Sequence, residues 1–383
     1  MFATKKEGIV FSSRQEFGFV RRKVGKNRTI WYYSFYDENG IRKYRSTGQK
    51  TKAAAMDFVM KRRDEGLLKT IDKSKTTFGE YAKDFYDYDK CPIVREKLKR
   101  GKTFARSTAY GNRYILTKHI MPYFKNIPIS AISEVKINNW LLNLPSKASL
   151  ANRTVNLAKA ILSHIMDYAV KDGVISKNPC KNVERLGEQG ARTKAFTREE
   201  AIAFIGKPED WENPMFRIAC MIAAMTGMRA AEVLALRTMD VEKDRIHVRH
   251  SYNLHDKLKT PKNGDERVVP ITEELYNEIM AIAWADPEKY IFSLSRGEEP
   301  IAYATLRRYI SARSEKLKMK DKSFHSFRAF VNTELVLKNV NETVIRSMVG
   351  HADEEMTEHY FHLESGDMKL INDIQKEFQK GLA

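Results

Sequence analysis

Cysteine is scarce in this chain, with only Cys91, Cys180 and Cys220 among 383 residues, odd in number and far apart. A disulfide framework needs pairs and a zinc cluster needs close spacing, so both are excluded and a reducing compartment is expected. Long apolar runs are missing too, since none approaches the roughly 18 residues of a membrane-spanning helix. Met1-Phe2-Ala3-Thr4-Lys5-Lys6-Glu7 places no apolar leader behind its lysines, so a cytoplasmic location and no membrane partner are expected. Internal repeats and low-complexity tracts are absent. Acid is in short supply: 49 Asp and Glu face 67 Lys and Arg, for a formal charge of +18. That imbalance makes a polyanion the default partner, and with no membrane segment the polyanion is nucleic acid. Hydrophobic residues at 42% supply cores for two or three domains and exclude a disordered chain.

The expected fold is mainly α with small β elements, in three parts. Residues 1–70 hold short aromatic, strand-like runs, Phe17-Gly18-Phe19-Val20, Thr29 to Tyr36 and Ile41 to Ser46. Asn39-Gly40 between the last two is a hairpin signal. Thr51 caps a helix running through Ala53-Ala54-Ala55 to about Leu68, which closes a three-stranded module. Its polar positions carry Arg21, Arg22, Lys23, Lys26, Arg28, Arg42, Lys43 and Arg45. A thin basic ribbon of this kind can enter a DNA groove, or it is a solvated basic surface that raises nonspecific affinity.

Residues 71–190 read as helices. Phe78 to Tyr86, Arg106 to Met121, Ser133 to Leu144 and Ser149 to Asp172 carry apolar residues at three- and four-residue spacing, and Pro179 closes the set. Arg95, Lys97, Lys99, Arg100, Lys102, Arg106 and Arg113 cluster before and on the second of them, a charge run that reads as a solvated face or, with this net charge and position, as a DNA backbone contact. Residues 184–194 read as a linker, and Thr197-Arg198-Glu199-Glu200 is a capping box that starts a third part, 191–383.

That third part concentrates arginine, histidine and tyrosine. Thr226-Gly227-Met228-Arg229-Ala230-Ala231-Glu232 follows an apolar helix from Phe216 to Met225, which puts Arg229 at the mouth of a new turn with Glu232 on the same face to orient it or a backbone group. Alone, Thr-Gly-x-Arg reads equally as a surface arginine beside a helix cap. In His325-Ser326-Phe327-Arg328 the spacing of three aims both side chains to one side of a helix start. Alone, the pair reads as a capping histidine and an exposed arginine. Val349-Gly350-His351 is followed nine residues later by Tyr360, with His359 and His362 flanking it as packing or DNA-contact residues. Ile246 to Tyr252 and Arg267 to Ile271 read as strands, with Lys259 and Lys262 in the polar approach to the second. Met368, Ile371, Ile374 and Phe378 form an apolar stripe on a final helix that docks on its own domain or on a neighbour.

Taken together, these boxes resemble the tyrosine recombinase family, the integrases of phages and conjugative transposons, over nearly the whole chain. The resemblance implies an arm-binding module, a helical core-binding domain and a mixed, mostly α catalytic domain with a tail. It implies Tyr360 as nucleophile, Arg229 and Arg328 as the clamp on the scissile phosphate, His325 and His351 as hydrogen-bonding or proton-moving partners, and a hairpin lysine, Lys259 with Lys262 as its rival, as acid for the leaving 5′ oxygen. Arginines then supply the positive charge, so no metal or other cofactor is expected. The implied partners are double-stranded DNA at core-type and arm-type sites, a homo-tetramer on that DNA, and excision or host DNA-bending proteins. The implied reaction integrates and excises a mobile element through a 3′-phosphotyrosyl intermediate. A type IB topoisomerase and a non-catalytic DNA-binding regulator are the two rival readings.

Overall fold

The computed structural model describes residues 18–24, 28–36, 42–64, 76–188, 194–261, 266–350, 363 and 365–382. Chain contacts group the protein into two units, one of residues 1–104 with 109–188 and one of residues 105–108 with 189–383.

The first unit opens with an antiparallel sheet, β1 (Gly18–Val24), β2 (Arg28–Tyr36) and β3 (Arg42–Ser46), in the order β1-β2-β3. Alternation puts one face of β2 against helix α1 (Lys52–Asp64), where Tyr33 and Val59 are fully buried with Phe19 and Phe58 around them. Thr51 caps α1 by accepting a hydrogen bond from the Ala54 amide at 3.3 Å. The Asn39-Gly40 turn lies outside the described residues.

The helical part of this unit contains α2 (Phe78–Ala82), α3 (Pro92–Lys99), α4 (Arg106–Ile115, whose residues 106–108 group with the second unit), α5 (Met121–Phe124), α6 (Glu134–Ala148) and α7 (Asn152–Lys171). Its core is aromatic and aliphatic: Phe124 packs edge-on against Trp140 at 5.3 Å, and the Trp140 indole N–H donates to the His119 carbonyl at 3.1 Å. Leu116, Ile120, Ile161, Leu162 and Ile165 fill the space around them. Four expected helices become six because local chemistry divides the chain differently. The basic run begins on its own short helix, α3, which Pro92 starts and Gly101, at φ 71°, follows. The helix expected over Arg106 to Met121 widens into a π turn at Leu116–Ile120 just before Pro122, whose missing N–H breaks the regular ladder. Ser149 adopts a left-handed conformation, φ 49°, and ends α6 instead of opening α7.

The second unit begins as expected at the Thr197–Glu200 capping box of α8 (Arg198–Ile205). It continues through α9 (Pro214–Thr226) and α10 (Ala230–Val233), strands β4 (Val241–Glu242), β5 (Arg245–Val248), β6 (Ser251–Asn253), β7 (Lys257–Lys259) and β8 (Arg267–Pro270), then α11 (Glu273–Met280), α12 (Tyr303–Lys316), α13 (Phe324–Leu337), α14 (Glu342–Val349) and α15 (Ser365–Lys380). The strands form two sheets, β4-β5-β8 and the hairpin β6-β7, both antiparallel. The single strand expected over Ile246 to Tyr252 is therefore two, the chain leaving one sheet at Val248 and joining the other at Ser251. Helix α9 is buried along its length, and Phe327 of α13 stacks on Phe196 at 4.5 Å and meets Phe204 edge-on at 5.6 Å. In this single chain α15 docks on its own unit. Ile371 and Phe378 are buried, and the Gln375 side-chain amide donates to the Met225 and Pro270 carbonyls at 2.9 Å each. No helix among the described residues is long and apolar enough to cross a membrane.

Replacing Trp140 by Ala removes a fully packed indole and its hydrogen bond, and is expected to cost about 3–5 kcal/mol. Urea unfolding followed by far-UV circular dichroism checks this, with Val135→Ala, at a site 68% exposed, as the control expected to shift stability by less than about 0.5 kcal/mol.

Candidate active site

Helix α9 ends at Gly227, whose φ of 67° turns the chain so that Arg229 becomes the residue preceding α10. Three residues on, the Glu232 carboxylate is 1% exposed and accepts hydrogen bonds from the Arg229 main-chain N–H at 2.9 Å and from Arg229 Nη1 at 2.8 Å. The spacing seen in the sequence thus serves both roles expected of Glu232, orienting a side chain and satisfying a backbone donor. A second guanidinium reaches the same carboxylate. Arg267, the first residue of β8, donates through Nη1 at 3.2 Å and Nη2 at 2.6 Å. Burial alone would push the Glu232 carboxyl up, but the hydrogen bond and charge of Arg267, followed by those of Arg229, hold it below its ordinary value.

The three arginines meet again at the end of α14. Arg267 Nε donates to the Met348 carbonyl at 2.9 Å, Arg328 Nη1 to the Val349 carbonyl, and Arg229 Nη2 to the Gly350 carbonyl at 2.6 Å. These carbonyls belong to the last turn of a helix, where they lack intrahelical partners and carry its partial negative charge. Arg328 Nη1 also holds the Gly227 carbonyl at 2.9 Å, which ties the Arg229 turn to the α14 end. Arg328 is 4% exposed, and among the described residues its Nη2 has no hydrogen-bond partner. Desolvation, then the charges of Arg229 and Arg267, bring its pKa down to about 10, with Glu232 opposing the shift. It stays charged at neutral pH, a buried cation with a spare donor that an anion would stabilise.

His325 occupies the exposed first turn of α13, one helical step from Arg328. Partial desolvation and the charges of Arg328 and Arg229 lower its pKa below 6.5. The imidazole is therefore neutral at pH 7, able to accept or relay a proton. Lys259 ends β7, paired with Ser251 of β6, and β6 packs on α10. Its Nζ lies 2.9 Å from Asp256 Oδ2. Burial would raise the Asp256 pKa, but hydrogen bonds from Ser107, Lys259 and Asn253 hold the carboxyl far below its ordinary range. His351, Tyr360, Lys262, His359 and His362 lie outside the described residues.

Arg229, Arg328 and His325 thus come together as the sequence suggested, and Arg267 is an addition that the motif reading passed over. Its only sequence signal is a charged residue heading an apolar strand, Arg267-Val268-Val269-Pro270, while its carboxylate partner lies far upstream in the chain.

Of the basic residues proposed for DNA contact, Arg21, Arg22 and Arg45 are exposed on the small sheet, where the Arg22 guanidinium sits 5.2 Å from the Tyr32 ring centre and 4.7 Å from that of Tyr44. The Lys23, Arg42 and Lys43 side chains are outside the described set. Lys97, Arg100, Lys102 and Arg106 are exposed, with Lys97 Nζ over the Phe104 ring at 5.0 Å and Arg100 paired to Glu96. Two neighbours serve the fold instead: Arg113 donates to the Lys83 and Phe85 carbonyls, and Arg95 to the Asp89 carbonyl.

Three guanidinium groups thus meet at the end of α14, with the His325 imidazole within reach of the charges of two of them. The phage integrase family model matches residues 194–366, and the phage integrase N-terminal SAM-like domain model matches residues 96–144. ICEBs1 integrase of Bacillus subtilis (strain 168) is 28% identical over 281 residues, covering 68% of this chain and 75% of that protein. Among solved structures, a lambda integrase dimer bound to a core site aligns with a TM-score of 0.58 at 15% identity, covering 87% of this chain and 95% of the other. A Tn1549 transposon integrase in complex with a circular intermediate DNA aligns with a TM-score of 0.56 at 19% identity, covering 76% and 98%. Residues 194–366 carry a phage integrase family domain, and the chain is a tyrosine-type site-specific recombinase.

The pH behaviour of His325 follows from its neighbours. A histidine whose folded pKa lies below 6.5 binds fewer protons folded than unfolded under that pH. Its contribution to stability is fully present above pH 6.5 and is lost as pH falls from there through the folded pKa. Arg229→Gln, which removes one repelling charge, is expected to raise the His325 pKa toward 6.5 in an NMR titration, with His325→Asn used to assign the resonance; an unmoved pKa would contradict the coupling.

Proposed function

We propose that Tyr360 is the nucleophile and that Arg229 and Arg328 clamp the scissile phosphate of double-stranded DNA. The Tyr360 phenolic oxygen attacks phosphorus, the bond to the 5′ oxygen breaks, and the products are a 3′-phosphotyrosyl protein and a 5′ hydroxyl. Lys259 donates the proton that the leaving oxygen needs. His325 accepts or relays the phenolic proton, and His351 hydrogen-bonds a non-bridging oxygen. The hydroxyl of a second strand then reverses the step, and because the phosphotyrosyl bond retains the energy of the diester, no ATP is consumed.

The observation that carries this reading is the meeting of Arg229 and Arg328 at the α14 end, directly before His351, which Tyr360 follows nine residues later in the sequence. Guanidinium gives fixed, permanently charged donors to a phosphate, which is what an in-line displacement without covalent help from the base needs most. Lys259 is the better of the two lysines for the acid, since it ends a strand that pairs with β6 beside α10. The three parts 1–70, 71–190 and 191–383 act as arm-binding, core-binding and catalytic domains, and the exposed bases of the first two contact arm-type and core-type sites. Four copies work on two DNA sites, with excision or host DNA-bending proteins, in the cytoplasm of a bacterial cell, to integrate and excise a mobile element. A lambda integrase tetramer has been solved on a Holliday junction, which supports the four-copy assembly by analogy.

The first test uses a nicked suicide substrate carrying the recombination site from the element's own flanks. A covalent protein–DNA band is expected for wild type and is expected to vanish for Tyr360→Phe with DNA binding retained. Binding to a verified site with no adduct would leave a DNA-binding regulator. Lys259→Ala is expected to slow single-turnover cleavage by about 10²–10⁴-fold. A bridging 5′ sulfur, which departs as a thiolate without protonation, is expected to restore most of that rate; no restoration would remove Lys259 from the role and turn attention to Lys262.

A further inference from the structure

Resting on the recombinase reading, we infer that Arg267 is a positioning residue of the phosphate clamp, acting through Glu232 and through the end of α14 without touching DNA. Its side chain is 10% exposed, and among the described residues its hydrogen bonds go inward, to both oxygens of Glu232 and to the Met348 carbonyl. The first contact concerns charge. Glu232 also binds Arg229 Nη1, so a Glu232 carboxylate with no second cation would draw Arg229 into a closed ion pair and take its donors from an incoming phosphate. Arg267 carries that charge instead and leaves Arg229 shared. The second contact concerns place. By holding the Met348 carbonyl, Arg267 fixes the first of three successive carbonyls on which Arg328 and Arg229 also rest, and the chain runs from Gly350 straight into His351. The packing leaves no slack, since a Cβ at Gly350 would lie 3.1 Å from Arg267 Nη1 and 3.3 Å from Arg229 Nη1. One guanidinium thus sets both the availability of Arg229 and the position of the turn before His351. A lysine has neither the fork for two carboxylate oxygens nor a remaining donor directed at Met348.

The experiment measures single-turnover cleavage of the suicide substrate at saturating protein, together with site affinity and thermal midpoint, for four proteins. These are wild type, Arg267→Lys, Arg267→Gln and the double variant Arg267→Gln/Glu232→Gln. Adduct formation by wild type tests the recombinase reading itself; the ratios among variants test Arg267. Arg267→Lys, which keeps the charge and the fold, is expected to lose about 100-fold in cleavage, the scale of a misplacement of about 1 Å. Its affinity for the site is expected to stay within about threefold, because phosphate contacts across the whole interface dominate binding. Arg267→Gln is expected to be slower still, and the double variant, which removes the buried carboxylate charge along with its partner, is expected to recover at least about tenfold over Arg267→Gln, roughly the 1.4 kcal/mol that frees Arg229. Wild-type cleavage by Arg267→Lys would overturn the assignment. So would a double variant no faster than Arg267→Gln, or a rate that falls only in step with affinity and thermal midpoint, because either would make Arg267 a purely structural residue.

Discussion

A carboxylate that water cannot reach must be paired and hydrogen-bonded or it will not stay ionised, and Glu232, 1% exposed, is in that position. Its three donor groups come from two separate places in the chain: the Arg229 main-chain N–H and guanidinium, and the Arg267 guanidinium. Satisfying one buried charge therefore fixes the start of α10 against the start of β8. The same guanidinia then satisfy the open carbonyls at the end of α14, which brings the helix before His351 into the same bonded network. Two glycines make the approach close enough. Gly227 and Gly350 both hold positive φ, 67° and 71°, and a Cβ on Gly227 would come within 2.9 Å of Val349 Cγ1.

What the sequence made legible follows from how local each cause is. Capping chemistry spans four residues, so the starts of α1 at Thr51, α6 at Ser133 and α8 at Thr197 are written in the chain and the structure has them there. The pairing of Arg229 with Glu232 and the shared turn of His325 and Arg328 are helical spacings of three, equally local. The misses are where a distant or backbone-level cause decides. The π turn answers to Pro122 downstream, Ser149 ends a helix because its φ turns positive, and the strand from Ile246 breaks because β5 pairs with β8 while β6 pairs with β7. Arg267 escaped notice for the same reason. Its role depends on the register Val248↔Arg267, which sets the end of β8 near Glu232, and periodicity carries no information about which strand pairs with which.

Charge in the basic run shows a related limit. Seven Lys and Arg residues between 95 and 113 read as one surface, yet Arg113 and Arg95 spend their donors on main-chain carbonyls. Composition reports how much positive charge a segment carries but not how much of it the fold has already used. The other five, Lys97, Lys99, Arg100, Lys102 and Arg106, are exposed, and of these Arg100 is already paired with Glu96.

In the mechanism proposed above, the electrostatics of the arginine cluster would match the reaction more closely than they match the substrate. Three guanidinium charges less one carboxylate leave two positive charges at the end of α14. The cost of gathering them shows in Arg328, whose pKa falls to about 10 under desolvation and the repulsion of its neighbours. A bound phosphodiester brings one negative charge, and attack by the tyrosine oxygen raises this to two on the five-coordinate phosphorus. On that mechanism the cluster would be undersaturated with substrate bound and balanced at the transition state, which is the difference that accelerates a reaction instead of only tightening binding. Glu232 sets that balance. Without its charge the clamp would hold three cations and bind the ground-state diester and its DNA more tightly while the repulsion among the arginines grew. With it, the donors are held in place before DNA arrives, so little reorganisation is left for the chemical step.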